Sequence, residues 1–477
     1  MRLLLKRLLA SSLAYQAPSI LAAALALFTL PLYTRALSEA DYGYAETLLT
    51  AIILGSIVLR VGIAEAFVRF WFDDEDAARR ERLARTTVTV VLATTSLAAL
   101  AGLAFAGPLS ELLLAKRDAT LMACGLLGLW AFTNLEVAYA LLRVEERRRA
   151  FVRASLANVV LTVTLTVVLV VVLDQGARGY VLGNYAASTV VLLALWREQG
   201  ARIRPIVPRG LEPLVRFGAP TIPAEAAVFA LNVVDRAYLL RVESPAAAGV
   251  YAVGVKLATA VILVVRGFQA AWPPLVYSVT DDAEARRLYA TVTTLYVIVV
   301  GTAVAALTLL GRWAVRLLAA PQYFEAHEAL PWVALGWALY GLYLVFVTIA
   351  GRAKVTTRNA PAALAGLAVN VVVLVVAVDR VGIAGAGIAL CAAYAVMLAA
   401  IHLLTRRLFA VPFEWARMGT IAGALAAIAV GGELLLPTEG LAGFALRCAA
   451  VALIPLVLLP LSTRAERDFL RRALRRG

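Results

Sequence analysis

The stretch LYATVTTLYVIVVGTAVAALTLL, Leu288 to Leu310, runs 23 residues without a charged side chain. As a helix rising 1.5 Å per residue it is about 35 Å long, enough to cross a hydrocarbon core roughly 30 Å thick. Fourteen such stretches follow one another along the chain. They run from Ser12 to Tyr33, Leu48 to Phe67, Thr87 to Ala106, Leu121 to Leu141, Leu156 to Leu173, Gly179 to Trp196, Phe217 to Leu240 and Gly249 to Val276. After Leu288 to Leu310 come Ala329 to Ile349, Ala362 to Val378, Gly382 to Leu404, Gly419 to Leu436 and Leu441 to Leu461. In lipid the backbone must satisfy its own hydrogen bonds, so spans of this length are read as helices. With 62% hydrophobic residues and a mean hydropathy of +0.84, the chain reads as an all-α polytopic membrane protein. Met1, Arg2, Lys6 and Arg7 resemble a signal-peptide start, but no small-residue cleavage site follows, and the first span is read as retained.

The formal charge of +14 sits in short loops between spans. Alternate loops, with both ends of the chain, hold 32 Lys and Arg; the opposite loops hold eight, and Arg60, Arg236, Lys256, Arg266 and Arg447 lie inside spans. The positive-inside rule then places both termini in the cytoplasm. Runs such as Arg147-Arg148-Arg149 read as topology signals beside anionic lipid, not as a nucleic-acid surface. Cys124, Cys391 and Cys448 all fall inside spans with no metal-ligand spacing, and His327 and His402 are isolated. No metal site and no cofactor are expected.

The chain also repeats. A shift of 206 residues carries Arg35 onto Arg241, Ser38 onto Ser244, Ala40 onto Ala246, Gly43 onto Gly249, Arg60 onto Arg266 and Ala64 onto Ala270. Six spans separate the copies, an even number, so the repeats share one orientation. The expected organisation is two pseudo-symmetric six-helix lobes, 1–209 and 210–407, followed by a terminal helix pair and basic tail, 408–477. The segment from Arg197 to Pro213, rich in proline and arginine, is the expected linker.

A charge inside a span is costly, so Arg60 and Arg266, at equivalent places in spans two and eight, must pair with an acid, line a wet cavity or snorkel to the interface. Arginine grips phosphate oxygens at two points, which makes a diphosphate head group a natural ligand for a facing pair. Lys256, one helix face round from Arg266, and the repeat-related Arg35 and Arg241 complete the candidate substrate-binding set. Arg447 reads as a snorkelling residue, and Glu433 as reaching the interface. Among the acids in spans, Glu225 and Asp235 are the candidates for ion coupling, while Glu65 and Glu136 balance nearby arginines. Pro220 and Pro223 should break span seven, as helices lining transport paths often are. No nucleotide-binding or zinc-protease motif occurs.

Pro31-Leu32-Tyr33-Thr34-Arg35-Ala36-Leu37-Ser38 followed by Asp41-Tyr42-Gly43 resembles the opening of the polysaccharide biosynthesis protein family, the oligosaccharide-lipid flippases. Phe217-Gly218-Ala219-Pro220, Asp235-Arg236, Gly249-Val250-Tyr251 and Asn370 with Val381 to Ala386 extend the resemblance to about Leu404. That resemblance implies the multidrug, oligosaccharidyl-lipid and polysaccharide exporter superfamily, a V-shaped pair of lobes, alternating access and a cationic cavity lined from spans one, two and eight. Arg60 and Arg266 fit spans two and eight; no arginine lies deep in span one. The terminal pair is implied to offer a groove for a lipid tail. The expected substrate is a polyprenyl-diphosphate-linked oligosaccharide, with membrane lipid, polysaccharide polymerase and glycosyltransferases as pathway partners and no covalent chemistry. The rivals are a drug/cation antiporter of the same superfamily, which would favour about twelve spans and a cavity acid, and a membrane-embedded glycan polymerase or transferase, which the short outer loops disfavour. Reporter fusions after Arg80, Arg149 and Arg406 are expected to report cytoplasm, and after Pro108 and Arg178 the outer face; an outer-face signal at Arg149 would sink the fourteen-span topology.

Overall fold

The computed structural model describes residues 2–72, 76–200, 204–208, 210–279, 281–352 and 358–461. Three sequence features lie outside the described residues: the acidic start of the loop at 73–75, positions 201–203 and 209 of the linker, and the basic tail 462–477. Among the described residues every regular element is helical. The first ten helices are α1 (Arg2–Ala36), α2 (Glu39–Leu59), α3 (Ile63–Phe70), α4 (Ala77–Ala104), α5 (Ala106–Leu114), α6 (Ala119–Val144), α7 (Arg148–Val167), α8 (Gly176–Gln199), α9 (Leu211–Gly218) and α10 (Ile222–Val242). Then come α11 (Pro245–Ser278), α12 (Asp282–Leu318), α13 (Ala326–Arg352), α14 (Asn359–Val381), α15 (Ile383–Thr405), α16 (Trp415–Leu435) and α17 (Gly440–Leu458).

Among the described residues twelve helices are long and apolar enough to cross a membrane, and α9 with α10, bent by 50°, meets the same measure as a pair. The remaining expected span lies in α1, where Ile20–Ala36 is a shorter apolar helix. The expected second span is corrected: it does not run unbroken to Phe67, because α2 stops at Leu59 and Val61 and Gly62 take positive φ before α3 starts. The break expected from Pro220 and Pro223 is present, as a single 3-10 turn over Ala219–Thr221.

The chain forms two compact units, Met1–Ala252 and Val253–Gly477, so α9, α10 and the start of α11 pack with the first. In that unit α6 lies against α4 and α8, α7 against α1 and α8, and α2 against α6, α8 and α10. Leu135, Leu142, Phe151, Leu192 and Leu195 form one of its buried clusters. Gly43 on α2 and Gly249 on α11, which the repeat matches to each other, meet backbone to backbone. A Cβ on Gly43 would strike the Pro245 carbonyl, and one on Gly249 the Glu39 carbonyl.

In the second unit α15 packs between α13 and α14, and the terminal pair α16–α17 lies on α12. Ile298 and Ala305 of α12 meet Ile421, Leu425 and Ile454 there.

Helix C-termini leave carbonyls without an intrahelical partner, and arginines take many of them. Arg80 donates to Trp71 after α3, Arg241 to Glu111 and Leu112 at the end of α5, and Arg352 to Val276 and Val279 at the end of α11. Arg358 reaches Leu404 of α15 and Arg417 reaches Leu461 beyond α17. Besides satisfying the carbonyl, a cation there complements the negative end of the helix dipole.

Arg447 corrects its sequence reading. It does not snorkel: it is 0% exposed, the largest fully buried side chain. It forms an ion pair with Glu433, donates to the carbonyls of Leu309, Leu436 and Pro437, and lies 5.2 Å from the centre of the Trp313 ring. Glu433 is likewise held inward, with Arg312 at 3.6 Å as a second partner. This cluster ties α16 and α17 to α12. Because a buried charge that loses its partner is left uncompensated, Arg447→Met is expected to cost about 3 kcal/mol or more. Arg447→Lys, with fewer donors and no fork, should recover only part of that. Thermal unfolding of the detergent-solubilised protein measures both; an unchanged midpoint in Arg447→Met would show that the cluster does not hold the terminal pair.

Candidate functional site

Arg60 caps the end of α2 at the break. Two positive-φ residues in succession, Val61 and Gly62, turn the chain into α3. Here the broken helix meets the other one: a Cβ on Gly62 would collide with the Gly218 carbonyl, and a Cβ on Gly218 with the Gly62 carbonyl. Two interrupted helices thus touch at their interruptions, and Arg60 reaches from the first to the second. Its Nη1 lies 3.3 Å from Glu65 on α3, its Nη2 3.5 Å from Glu225 at the start of α10, and its Nε donates to Ser56 O at 3.3 Å. Of the three fates open to an arginine inside a span, pairing with acids is the one realised in this structure. Both pairs are long and partly wet: the Arg60 side chain is 17% exposed, Glu65 32% and Glu225 44%.

Further along the same interface, α10 runs antiparallel to α2. Arg236 donates to Thr50 Oγ1 at 2.5 Å and to Asn232 O at 3.4 Å and is buried. Its neighbour Asp235, also buried, accepts from Tyr251 OH at 3.2 Å. Adjacent helix positions point apart, and these two indeed take different partners. Glu225 joins the arginine site and Asp235 does not; the two ion-coupling candidates are in different surroundings.

Arg266 is exposed on α11 and makes no hydrogen bond or ion pair among the described residues. Lys256, ten residues earlier, is half-buried. Arg35, in the last turn of α1, is exposed. Arg241 ends α10 and is engaged with the α5 carbonyls, a structural role the repeat pattern does not foretell.

One buried acid escapes the sequence reading. Glu46 on α2 is 7% exposed and accepts from Tyr180 OH at 2.8 Å. The Tyr180 ring is edge-on to Tyr33 at 5.2 Å and Tyr42 at 5.6 Å. The signal is present, since Glu46 is followed by Thr47 and an apolar run, but starting the span at Leu48 leaves it in the loop. His402, by contrast, is enclosed by Phe346, Phe413 and Trp415, and Cys391 donates to Trp332 O. No group of three metal-binding side chains occurs among the described residues.

The long apolar helices, two of them interrupted, define a multi-pass membrane protein, and the solved structures it resembles say which fold. The lipid II flippase MurJ in an inward closed conformation superposes with a TM-score of 0.76 at 13% identity, over 96% of this chain and 99% of that one. An inward-facing multidrug resistance transporter of the MATE family gives 0.65 at 15% identity over 87% and 95%. The MATE multidrug transporter DinF-BH gives 0.62 at 16% over 85% and 96%. No curated protein matches. Residues 32–328, more than half of the chain, match the family described as polysaccharide biosynthesis protein, and the chain belongs to that family.

The crossing of the two interruptions can be tested directly. Gly62→Ala should destabilise the protein by more than the roughly 1–2 kcal/mol of a left-handed alanine, because the Gly218 backbone also stands in the way. Gly210→Ala, at φ +70° with nothing within 4 Å, isolates the dihedral cost. Equal shifts in thermal midpoint for the two variants would mean that the close approach contributes nothing.

Proposed function

We propose that this chain is a flippase that moves a polyprenyl-diphosphate-linked oligosaccharide across the bacterial inner membrane by alternating access, for surface polysaccharide biosynthesis. It breaks no covalent bond. Both termini face the cytoplasm, as the loop charges direct. The lobes 1–209 and 210–407 are the moving bodies, and the pair within 408–477 serves the lipid tail. Arg60 of the first lobe and Arg266 of the second each contribute a guanidinium to diphosphate recognition, with Lys256 and Arg35 as further positive charge and Arg241 at the lobe edge. Polysaccharide polymerase and glycosyltransferases are the pathway partners.

The observation that carries this reading is the loose hold on Arg60. Its two carboxylate contacts, at 3.3 and 3.5 Å and partly solvated, are of the kind that contributes about 0–1 kcal/mol. A diphosphate offers charge-assisted, two-point contacts of about 1.5–3 kcal/mol. The exchange of carboxylate for phosphate is therefore favourable. The lipid head group displaces Glu225 and Glu65, and after release the acids return and keep the charge compensated. An antiporter of the same superfamily, supported by the MATE resemblance, would instead use Glu225 or Asp235 to bind a cation and leave Arg60 a spectator.

Cells lacking the protein should accumulate lipid-linked repeat units on the cytoplasmic face. Arg60→Ala and Arg266→Ala, at normal expression, should weaken binding of the diphosphate lipid by about 10- to 150-fold. The Lys variants should rescue only in part, because an ammonium cannot make the planar two-point contact. Full export by both Arg60→Lys and Arg266→Lys at low protein level would remove the arginines from the mechanism.

A further inference from the structure

Trp and Tyr collect at membrane interfaces, where the ring is in lipid and the polar atom is in water. In α13 and α15 they collect at the centre. Tyr340 is 14 residues from Ala326 and 12 from Arg352, and Tyr394 is 11 from each end of its helix. That is about 16–21 Å of helix from either end. Trp337, Tyr340 and Tyr394 form a triangle of rings, with centroids 5.1 to 6.2 Å apart, and Tyr343 stacks on Tyr340 at 6.3 Å. Tyr343 and Tyr394 are buried, whereas Trp337 and Tyr340 are half-exposed. The Trp337 indole N–H is buried and donates to nothing among the described residues.

The half-exposed stripe is set apart from the most open side of α13. Trp332 and Leu335, 40% and 37% exposed, mark the open apolar side of α13. Trp337 is five residues from Trp332, about 140° round the helix. Leu344 and Thr348 continue its half-exposed stripe. The stripe lies between the side of α13 that meets α15, through Gly336 and Leu390, and the side that meets α11, through Gly341 and Val265. The Gly341–Val265 contact sets Arg266 level with Tyr340. One turn on from Arg266, the buried Nε2 of Gln269 has no partner among the described residues.

We propose that Trp337 and Tyr340, backed by Tyr343 and Tyr394, form a stacking shelf for a pyranose ring of the glycan head group, with Arg266 and Gln269 as its polar rim. The inference rests on the flippase reading and specifies how that site recognises the sugar. The C–H-bearing face of a pyranose matches the negative face of an aromatic ring, and its hydroxyl edge needs donors and acceptors beside the ring. Indole N–H, carboxamide and guanidinium supply them. A drug-like hydrophobic cation would use the rings but leave the rim unused.

The test compares two probes on the purified full-length protein in nanodiscs: geranylgeranyl diphosphate, and the same lipid carrying one N-acetylhexosamine. Wild type should prefer the glycosylated probe by about five- to tenfold, the range expected of one well-placed ring contact. Trp337→Leu should erase that preference and leave binding of the bare diphosphate unchanged, while Trp337→Phe should keep most of it. Tyr340→Leu, at a half-exposed position, gives the same reading if Trp337→Leu does not fold. Equal affinity of wild type for both probes, or a preference that survives both Leu variants, overturns the shelf. Unchanged binding of the bare diphosphate in Arg60→Ala and Arg266→Ala would instead overturn the diphosphate reading, and the sugar preference would be judged separately.

Discussion

A carbonyl at the end of a helix has no partner within that helix, and that constraint organises this structure. The chain meets it with guanidinium groups. Arg241, Arg352, Arg358 and Arg447 each reach from one helix to the C-terminal carbonyls of another. A cap of this kind satisfies an oxygen, complements the helix dipole and cross-links two helices in one contact. In lipid this matters more than in water, because apolar side chains gain little by leaving one apolar medium for another. Arg447 is the strongest case: the terminal pair joins α12 through an apolar seam, closed at one end by an ion pair with Glu433, the Leu436 and Pro437 carbonyls at the end of α16 and the Leu309 carbonyl of α12.

The same constraint gives the candidate site its character. Where α2 and the α9–α10 pair are interrupted, the free backbone is covered by packing one break against the other, glycine on glycine. Arg60 then belongs to a helix end, not to a helix middle. Its charge is held by carboxylates on the two elements that follow the breaks.

Much of this is legible in the sequence. Uncharged runs such as Leu288 to Leu310 specify the helices, since length and apolarity are properties of a single segment. Pro220 and Pro223 announce the break in span seven. The match of Gly43 to Gly249 marks both positions, though not that they touch. Other features resist for physical reasons. The break at Arg60 hides in an apolar run because Val61 has no turn signature and only Gly62 hints at it. Arg447 looks like a snorkelling residue because its partners Glu433, Leu309 and Trp313 lie on other helices and far along the chain. Trp337 and Tyr394 can be counted but not brought together, because their proximity depends on how α13 packs against α15. Glu46 is lost to a span boundary drawn two residues too late.

An arginine keeps its charge at any pH a cell meets. A scaffold whose helix ends are closed by guanidinium groups is therefore indifferent to the proton gradient across the membrane in which it sits. With only two histidines in the chain, any proton-linked step falls to carboxylates. Glu225 and Glu65 pair with Arg60, whereas the buried Glu46 and Asp235 each accept from a tyrosine hydroxyl. The architecture thus separates a frame tied together by fixed positive charge from a few carboxylates held in two different surroundings.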